Sequence, residues 1–251
     1  MTDHEDLSRS FGAAAGAYEA GRPDYPLEVV RWLLEPARLA DRRIRVVDAG
    51  AGTGKLTRVI VEAEAEVVAV DPDPDMLAVL RSRVIGVPAF TGTAEHLPLP
   101  DASVDAVLLG QAWHWVAPDA GAREAARVLG PGGLLGLVWN IRDDDVHWVA
   151  ELTEAMRGSH AERMLAEDGV RIGLPFPTPE RKTWRWVRTM DRTALLDMVA
   201  SRSYVITADP THRAEILASV EAIFDRERRD EDGTDVVDLP YRTEAFRSIL
   251  P

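Results

Sequence analysis

The residues with the clearest chemical potential are three glycines at every second position, Gly50, Gly52 and Gly54. An apolar run from Ile44 to Ala49 predicts a short buried strand before them, and Leu56 to Ala63 predicts a helix after them. The order strand, glycine loop, helix presents backbone N–H groups to a ligand at the carboxyl edge of an α/β sheet. Glycine suits that loop because it accepts positive φ and lets a ligand approach bare backbone.

Two common phosphate-binding loops match this pattern only in part. A dinucleotide fingerprint, G-x-G-x-x-G, would need a third glycine at the position of Lys55. A Walker A loop, G-x-x-x-x-G-K-[ST], would need glycine in place of Ala49 and a hydroxyl in place of Leu56. Asp48, just before the glycines, would repel a pyrophosphate but suits a ligand that carries an ammonium or sulfonium charge.

The run from Asp48 to Gly54 reads D-x-G-x-G-x-G, and it resembles motif I of the class I S-adenosylmethionine (SAM) methyltransferases. The resemblance implies a methyl-transferring enzyme that uses SAM as its cofactor and holds it at this loop. The cofactor-binding residues that it implies here are Asp48, Gly50, Ala51, Gly52, Thr53 and Gly54. The alternative is a glycine-rich turn that binds no ligand.

Asp71 ends a second short buried run, Val67 to Val70. An acidic side chain at the end of the second strand can accept hydrogen bonds from both hydroxyls of a ribose. A helix begins in the residues that follow, and we extend the predicted cofactor site to Pro72 and Met76. The alternative role for Asp71 is a helix cap, for which Asp73 is better placed.

The loop from Gly92 to Pro100 follows a predicted third strand, Val87 to Thr91, and resembles the adenine-binding segment of the same family, commonly G-D-A-E-x-L-P-F. The resemblance implies that Thr93, Ala94 and Glu95 contact the adenine. Thr93 stands where the family has an aspartate, and a hydroxyl is a weaker acceptor than a carboxylate.

Two further stretches extend the implied site. The run from Tyr18 to Pro26 resembles the segment that caps the cofactor ahead of motif I, which adds Tyr18 and Arg22 to the cofactor-binding residues. An N-terminal arm packed on the domain edge is the alternative. A predicted central strand, Ser103 to Gly110, ends at Gln111, where family members place cofactor and substrate contacts.

His114 is the candidate catalytic residue, because it can exchange a proton near neutral pH and follows the central strand. An orienting or surface histidine beside Trp113 and Trp115 is the alternative, and these tryptophans with Trp139 either wall an aromatic pocket or cap the core. SAM carries its own activated methyl group, so the protein mainly has to hold the acceptor near and aligned. A general base is needed only for a neutral hydroxyl or amine acceptor. We assign no metal ligand.

The order of elements predicts an α/β fold with a single Rossmann-like doubly wound domain. We expect a mostly parallel seven-stranded sheet with an antiparallel strand at its C-terminal edge. Trp184–Met190 and Val236–Thr243 are the predicted sixth and seventh strands, and residues 226–235 are predicted to form a polar loop. Residues 1–251 divide into an N-terminal helical cap (1–43), a cofactor-binding core (44–140) and a C-terminal substrate-side half (141–251).

Composition restricts the partners. A formal net charge of −13 argues against nucleic acid and against an anionic membrane surface, because both require a basic face. No apolar run approaches the ~18 residues of a membrane span. The chain has no cysteine, which suits the cytoplasm and excludes disulfide and thiolate chemistry. We therefore expect a cytoplasmic enzyme that acts on a small-molecule acceptor, with its oligomeric state open.

Two other functions stay open at the level of the sequence. One is an oxidoreductase that binds NAD(P) through a degenerate glycine loop, and the other is a SAM-binding protein without turnover. The identity of the methyl acceptor is not readable from these residues.

Overall fold

The computed structural model describes residues 21–37, 41–156, 165, 170–206 and 208–251. Within these residues the chain forms one open sheet of eight strands. The strands are β1 (Arg45–Ala49), β2 (Glu66–Asp71), β3 (Ala89–Thr91), β4 (Val104–Gly110), β5 (Leu129–Arg142), β6 (Glu180–Asp191), β7 (Arg229–Glu231) and β8 (Thr234–Ile249). The predicted contact of Tyr18 lies outside the described residues.

The sheet order is β3-β2-β1-β4-β5-β8-β6, and β7 pairs with β8. Strands β1 to β5 are mutually parallel, whereas β8 runs antiparallel between β5 and β6. The predicted Rossmann-like α/β fold with an antiparallel C-terminal edge is therefore confirmed. The carboxyl ends of β1, β2, β4 and β5 meet at one edge of the sheet, which is where such folds bind ligands.

The eighth strand corrects the prediction of seven. Residues 229–231 pair with 234–236 across a two-residue turn at Asp232 and Gly233, whose φ values are 51° and 84°. A turn with two positive φ values matches the twist of a hairpin, and the pair Asp-Gly favours it. The sequence prediction of a polar loop missed this hairpin because its residues are charged and show no apolar alternation.

The helices that flank the sheet have the following bounds: α1 (Leu27–Leu34), α2 (Lys55–Glu62), α3 (Pro74–Arg83), α4 (Pro118–Val128), α5 (His147–Ala155), α6 (Arg192–Ala200), α7 (Ser203–Ile206) and α8 (Pro210–Glu227). Two 3-10 turns, Glu35–Ala37 and Trp113–Trp115, complete the described elements. None of the described helices is long and apolar enough to cross a bilayer.

Alternate residues of the central strands enter two different cores. Val46, Leu108 and Val138 pack with α1 and α2 on one face of the sheet, and Val47 and Leu137 pack with α4 on the other. This pattern arises because a parallel strand is buried on both faces and successive side chains point to opposite sides. A third core joins α5, α6 and α8 to the first half of β8, through Val237, Leu239 and Tyr241. The division of the domain into a cap, a cofactor core and a substrate half stays a prediction.

Candidate functional site

The glycine loop between β1 and α2 has the backbone geometry that the sequence predicted. Gly50, Gly52 and Gly54 take φ values of 73°, 54° and 90°, a region that residues with a side chain rarely adopt. The N–H groups of Gly50 and Ala51 both donate to the carbonyl of Val70, at 2.8 and 3.0 Å. The last residue of β2 before Asp71 therefore holds the start of the loop.

The three glycines differ in what surrounds them. A Cβ at Gly50 would lie 2.6 Å from the Cβ of Ala112, and one at Gly54 would lie 2.8 Å from Cγ of Leu80. A Cβ at Gly52 would meet no atom within 4 Å. Gly50 and Gly54 are thus required by packing, whereas Gly52 faces open space.

Asp71 joins the glycine loop to the next helix. Its Oδ2 accepts from the N–H of Gly52 at 2.8 Å, and its Oδ1 accepts from the N–H of Asp73 at 2.9 Å. Asp73 is the N-cap of α3 and accepts from the N–H groups of Asp75 and Met76. Burial raises the pKa of Asp71, and its two backbone hydrogen bonds oppose that shift. The helix cap is therefore Asp73, and Asp71 faces the loop.

Asp48 lies beneath the loop and is fully buried. Its Oδ2 accepts from the hydroxyl of Thr57 at 2.6 Å, while its Oδ1 has no hydrogen-bond partner among the described residues. Burial raises the pKa of Asp48 from 3.8 to about 7; the Thr57 hydrogen bond opposes this and the charge of Asp71 adds to it. A buried carboxylate with one unsatisfied oxygen is suited to a cationic or hydrogen-bond-donating neighbour.

A cavity opens above the loop at the carboxyl edge of the sheet. Six of its lining residues are predicted cofactor contacts, namely Arg22, Gly50, Ala51, Gly52, Thr53 and Gln111. Six others complete the wall, namely Pro23, Tyr25, Lys55, Leu56, Gly110 and Asn140. Lys55, Leu56 and Gly110 adjoin predicted site residues, which is a signal that the sequence carried. Asn140 could be found from its place after the apolar run of β5, since polar strand ends line such edges.

Gln111 has a left-handed backbone, with a φ of 55°. Its N–H donates to the carbonyl of Val138 at 2.9 Å, and its side-chain Nε2 donates to the carbonyl of Asn140 at 2.6 Å. A non-glycine residue in this region persists only where surrounding contacts hold it. The structure therefore places Gln111 at the cavity with its amide N–H directed to β5.

The predicted adenine segment lies beside this cavity and does not line it. The N–H of Gly92 donates to the carbonyl of Asp71 at 3.2 Å, and Thr93 and His96 exchange backbone hydrogen bonds in a tight turn. Oε1 of Glu95 accepts from the N–H of Ala117, directly before α4. Pro72 is exposed and Met76 is buried at the adjoining start of α3.

His114 lies in the 3-10 turn after β4 and is not part of the cavity lining. Its Nδ1 is 3.3 Å from Nε1 of Trp139, whose indole N–H donates to it. Trp113 and Trp139 are buried in the core, which supports their role as core residues, and Trp115 is 40% exposed. Nδ1 must be unprotonated to accept from an indole, so the neutral ring carries its proton on Nε2.

Two charged residues of α4 that the sequence left without a role hold the neighbouring loop. Glu124 accepts from the N–H of Leu97 at 2.7 Å and from Arg127. Arg127 in turn donates to the carbonyls of Leu97 and Leu99 and to Asp101. Glu124 and Arg127 thus fix the connection between the predicted adenine segment and β4.

A family model described as a methyltransferase domain matches residues 47–137. An uncharacterised methyltransferase of Mycobacterium tuberculosis is 47% identical over 98% of this chain and 97% of its own length. The chain belongs to the class I SAM-dependent methyltransferases.

Two more distant relatives agree with this family. An uncharacterised methyltransferase-like protein of Schizosaccharomyces pombe is 31% identical over 99% of this chain and 98% of its own length. A solved structure of a protein from Anaeromyxobacter dehalogenans, assigned to the type II methyltransferases, is similar with a TM-score of 0.67 and 26% identity. It covers 92% of this chain and 99% of its own.

The residues of this methyltransferase fit SAM. Gly52 leaves an open cradle, and Asp48 offers a buried oxygen without a partner. Two carboxylates at the loop suit a ligand with an ammonium group, a sulfonium group and ribose hydroxyls, and they would repel a pyrophosphate. The assignment of individual residues to parts of the cofactor stays a prediction.

The first prediction concerns Asp71. Asp71→Ala removes the acceptor for Gly52 and the predicted ribose acceptor, so we expect S-adenosylhomocysteine to bind more than about tenfold more weakly, since hydrogen bonds to charged groups contribute ~1.5–3 kcal/mol. Isothermal titration calorimetry measures this. Asp73→Ala is the matched control: loss of a helix cap costs ~1 kcal/mol of stability and should leave the affinity within about twofold. Equal affinities of wild type and Asp71→Ala would contradict the assignment.

The second prediction concerns the pH dependence of stability. Because the pKa of Asp48 is raised to about 7, the folded chain holds a proton between pH 3.8 and 7 that the unfolded chain has released. Stability contributed by this group is therefore lost as pH rises through that window. Asp48→Asn retains an oxygen for Thr57 and should be more stable than wild type at about pH 8, by ~4 kcal/mol at most.

Urea unfolding of the ligand-free protein at several pH values measures this difference. We expect the advantage of Asp48→Asn to shrink steadily as pH falls toward the ordinary range of a carboxyl group. A difference that stays constant with pH would show that Asp48 does not titrate in this window.

Proposed function

We propose that this methyltransferase binds SAM at the glycine loop and transfers its methyl group to a small-molecule acceptor, with S-adenosylhomocysteine as the product. The observation that carries the proposal is the open cradle at Gly52, whose N–H is held by the buried carboxylate of Asp71. When bound, SAM supplies a methyl group that its sulfonium already activates. The chain's own residues then have to bind the cofactor, orient the acceptor toward the methyl group and exclude water.

The proposed roles follow the positions of the residues. The backbone of Gly50 to Gly54 forms the floor of the site, and Asp71 accepts from ribose hydroxyls with the lone pairs that its backbone contacts leave. Asp48 offsets the positive charge of the cofactor from beneath the loop. Thr93, Ala94 and Glu95 are proposed to bound the adenine by their backbone.

A small-molecule acceptor is favoured over nucleic acid by the charge of the chain. The formal net charge is −13, and a polyanionic acceptor would need a basic face to neutralise its phosphates.

We infer that His114 does not act as a general base. A general base needs an unprotonated ring nitrogen directed at the acceptor. In His114 the lone pair of Nδ1 is occupied by Trp139, and the neutral ring carries its proton on Nε2. Such a histidine suits an acceptor that is already a nucleophile, such as a carboxylate.

The cofactor assignment is tested by titration. We expect SAM and S-adenosylhomocysteine to bind the wild-type protein in calorimetry and NADH not to bind. Gly52→Ala should weaken S-adenosylhomocysteine at least about tenfold, because its Cβ would fill the space left for the ligand. Binding of NADH without S-adenosylhomocysteine would overturn the proposal in favour of an oxidoreductase.

Gly86→Ala is the matched control for Gly52→Ala. Gly86 has a φ of 86° and also lacks any atom within 4 Å of an added Cβ, but it lies on the surface after α3. Both variants carry the same kind of backbone strain, so both should lose about 1 kcal/mol of stability. Only Gly52→Ala should lose affinity, and turnover with a metabolite panel, followed as S-adenosylhomocysteine release, separates an enzyme from a non-catalytic binder.

The role of His114 is tested by a pH–rate profile. We expect His114→Ala to lose less than about tenfold in kcat and to keep the shape of the wild-type profile, because no proton passes through the imidazole. Loss of an acid limb together with a ~10²–10⁴-fold lower rate would instead identify His114 as a general base. His147→Ala, an exposed histidine at the start of α5, serves as the control variant.

A further inference from the structure

Asn140 occupies a junction between the cavity and the antiparallel strands. It lines the cavity at the end of β5, and its Nδ2 donates to the carbonyl of Asp24 at 3.1 Å. Its Oδ1 accepts from the hydroxyl of Thr243 in β8 at 2.7 Å, and Thr243 accepts from Nε1 of Trp186 in β6 at 2.9 Å. Four residues from four parts of the chain are thus joined in one line.

The direction of this hydrogen-bond chain is fixed by its first donor. An indole N–H can only donate, so the Thr243 oxygen accepts from Trp186 and its hydroxyl proton goes to Asn140. The Asn140 oxygen is then used, and its NH₂ group is left to donate to Asp24. The hydrogen bonds from Trp186 and Thr243 therefore determine which way the Asn140 amide faces. Thr243 is fully buried and Asn140 nearly so, which keeps water from substituting for either partner.

The segment that Asn140 holds, residues 22–25, forms one wall of the cavity. Arg22, Pro23 and Tyr25 line the cavity directly. The carboxylate of Asp24 pairs with Lys55 at 3.2 Å and with Arg58 at 2.6 Å, both on α2. The side chain of Asp24 is thus fastened to the helix that follows the glycine loop, and its carbonyl is fastened to Asn140.

The two attachments of the wall differ in expected strength. The Asp24 carboxylate and Arg58 are both half-exposed, and pairs between exposed charges contribute little because water screens them. Lys55 is more buried, but the carboxylate that it contacts is open to water. The Asn140 bond is part-buried and belongs to a satisfied network, so it sets the position of the wall more firmly.

We propose that Asn140 is a positioning residue for cofactor binding, set by Thr243 and Trp186, which holds residues 22–25 against the cavity. The proposal rests on the proposed function, because it assumes that SAM occupies this cavity. The amide does not need to touch the reacting atoms. It acts through the wall, so its loss should weaken cofactor binding and leave the chemical step nearly unchanged.

A pair of substitutions at Thr243 separates this role from packing. Thr243→Val keeps the shape and removes the hydroxyl, whereas Thr243→Ser keeps the hydroxyl and removes a methyl group. We expect Thr243→Val to bind S-adenosylhomocysteine at least about fivefold more weakly and Thr243→Ser to stay within about twofold of wild type. KM for SAM should rise in Thr243→Val with kcat little changed. If Thr243→Ser is the weaker binder, or if both bind as wild type does, the proposal is wrong.

Asn140→Asp provides a second variant that does not depend on Thr243. It keeps an oxygen for the Thr243 hydroxyl and replaces the NH₂ group that donates to Asp24. We expect weaker binding of S-adenosylhomocysteine and faster hydrogen exchange at the amides of Asp24 and Tyr25. Unchanged exchange and affinity would overturn the proposal. If wild type itself fails to bind S-adenosylhomocysteine, the proposed function fails instead, which is a distinct result.

Discussion

The hydrogen bond from the Gly52 N–H to the Asp71 carboxylate is the interaction on which the site depends. It connects the loop after β1 to the end of β2. The N–H groups of Gly50 and Ala51, which donate to the Val70 carbonyl, strengthen the same connection. The parallel register of β1 and β2 places these groups opposite each other. The shape of the loop is thus set by the neighbouring strand, and only residues that accept positive φ can follow it.

Local signals made this part of the site predictable. The glycine spacing and the acidic residue after the second strand are read directly from the sequence, and the structure brings Gly52 and Asp71 into contact. The wall of the cavity was harder to predict from the sequence, because Asp24 and Asn140 are 116 residues apart in the chain and meet only through the fold. Glu95 stays a predicted adenine contact, and its carboxylate also accepts from the N–H of Ala117 before α4, a contact that the resemblance did not indicate.

The antiparallel strands illustrate why strand lengths were underestimated. β8 continues to Ile249, beyond the predicted end at Thr243, although Glu244 lies in its middle. In the sequence alone, a glutamate argues against a buried strand, because glutamate is seldom fully buried unless it is paired. In the sheet its carboxylate accepts from Arg181 and from Thr183, both at 2.9 Å, on the paired strand β6. These two partners on β6 offset the cost of burying the Glu244 carboxylate. They can be identified only once the register between β6 and β8 is known.

The two buried carboxylates give the site its electrostatic character. Asp48 and Asp71 lie close enough that the charge of Asp71 raises the pKa of Asp48, and both sit in a chain whose net charge is −13. Ionising both without a cation nearby costs stability, because burial disfavours the charged forms. A ligand with a positive charge removes part of that cost when it binds, and a neutral or anionic ligand does not. The electrostatic cost of ionising both carboxylates in the ligand-free loop therefore favours a cationic ligand over an anionic one.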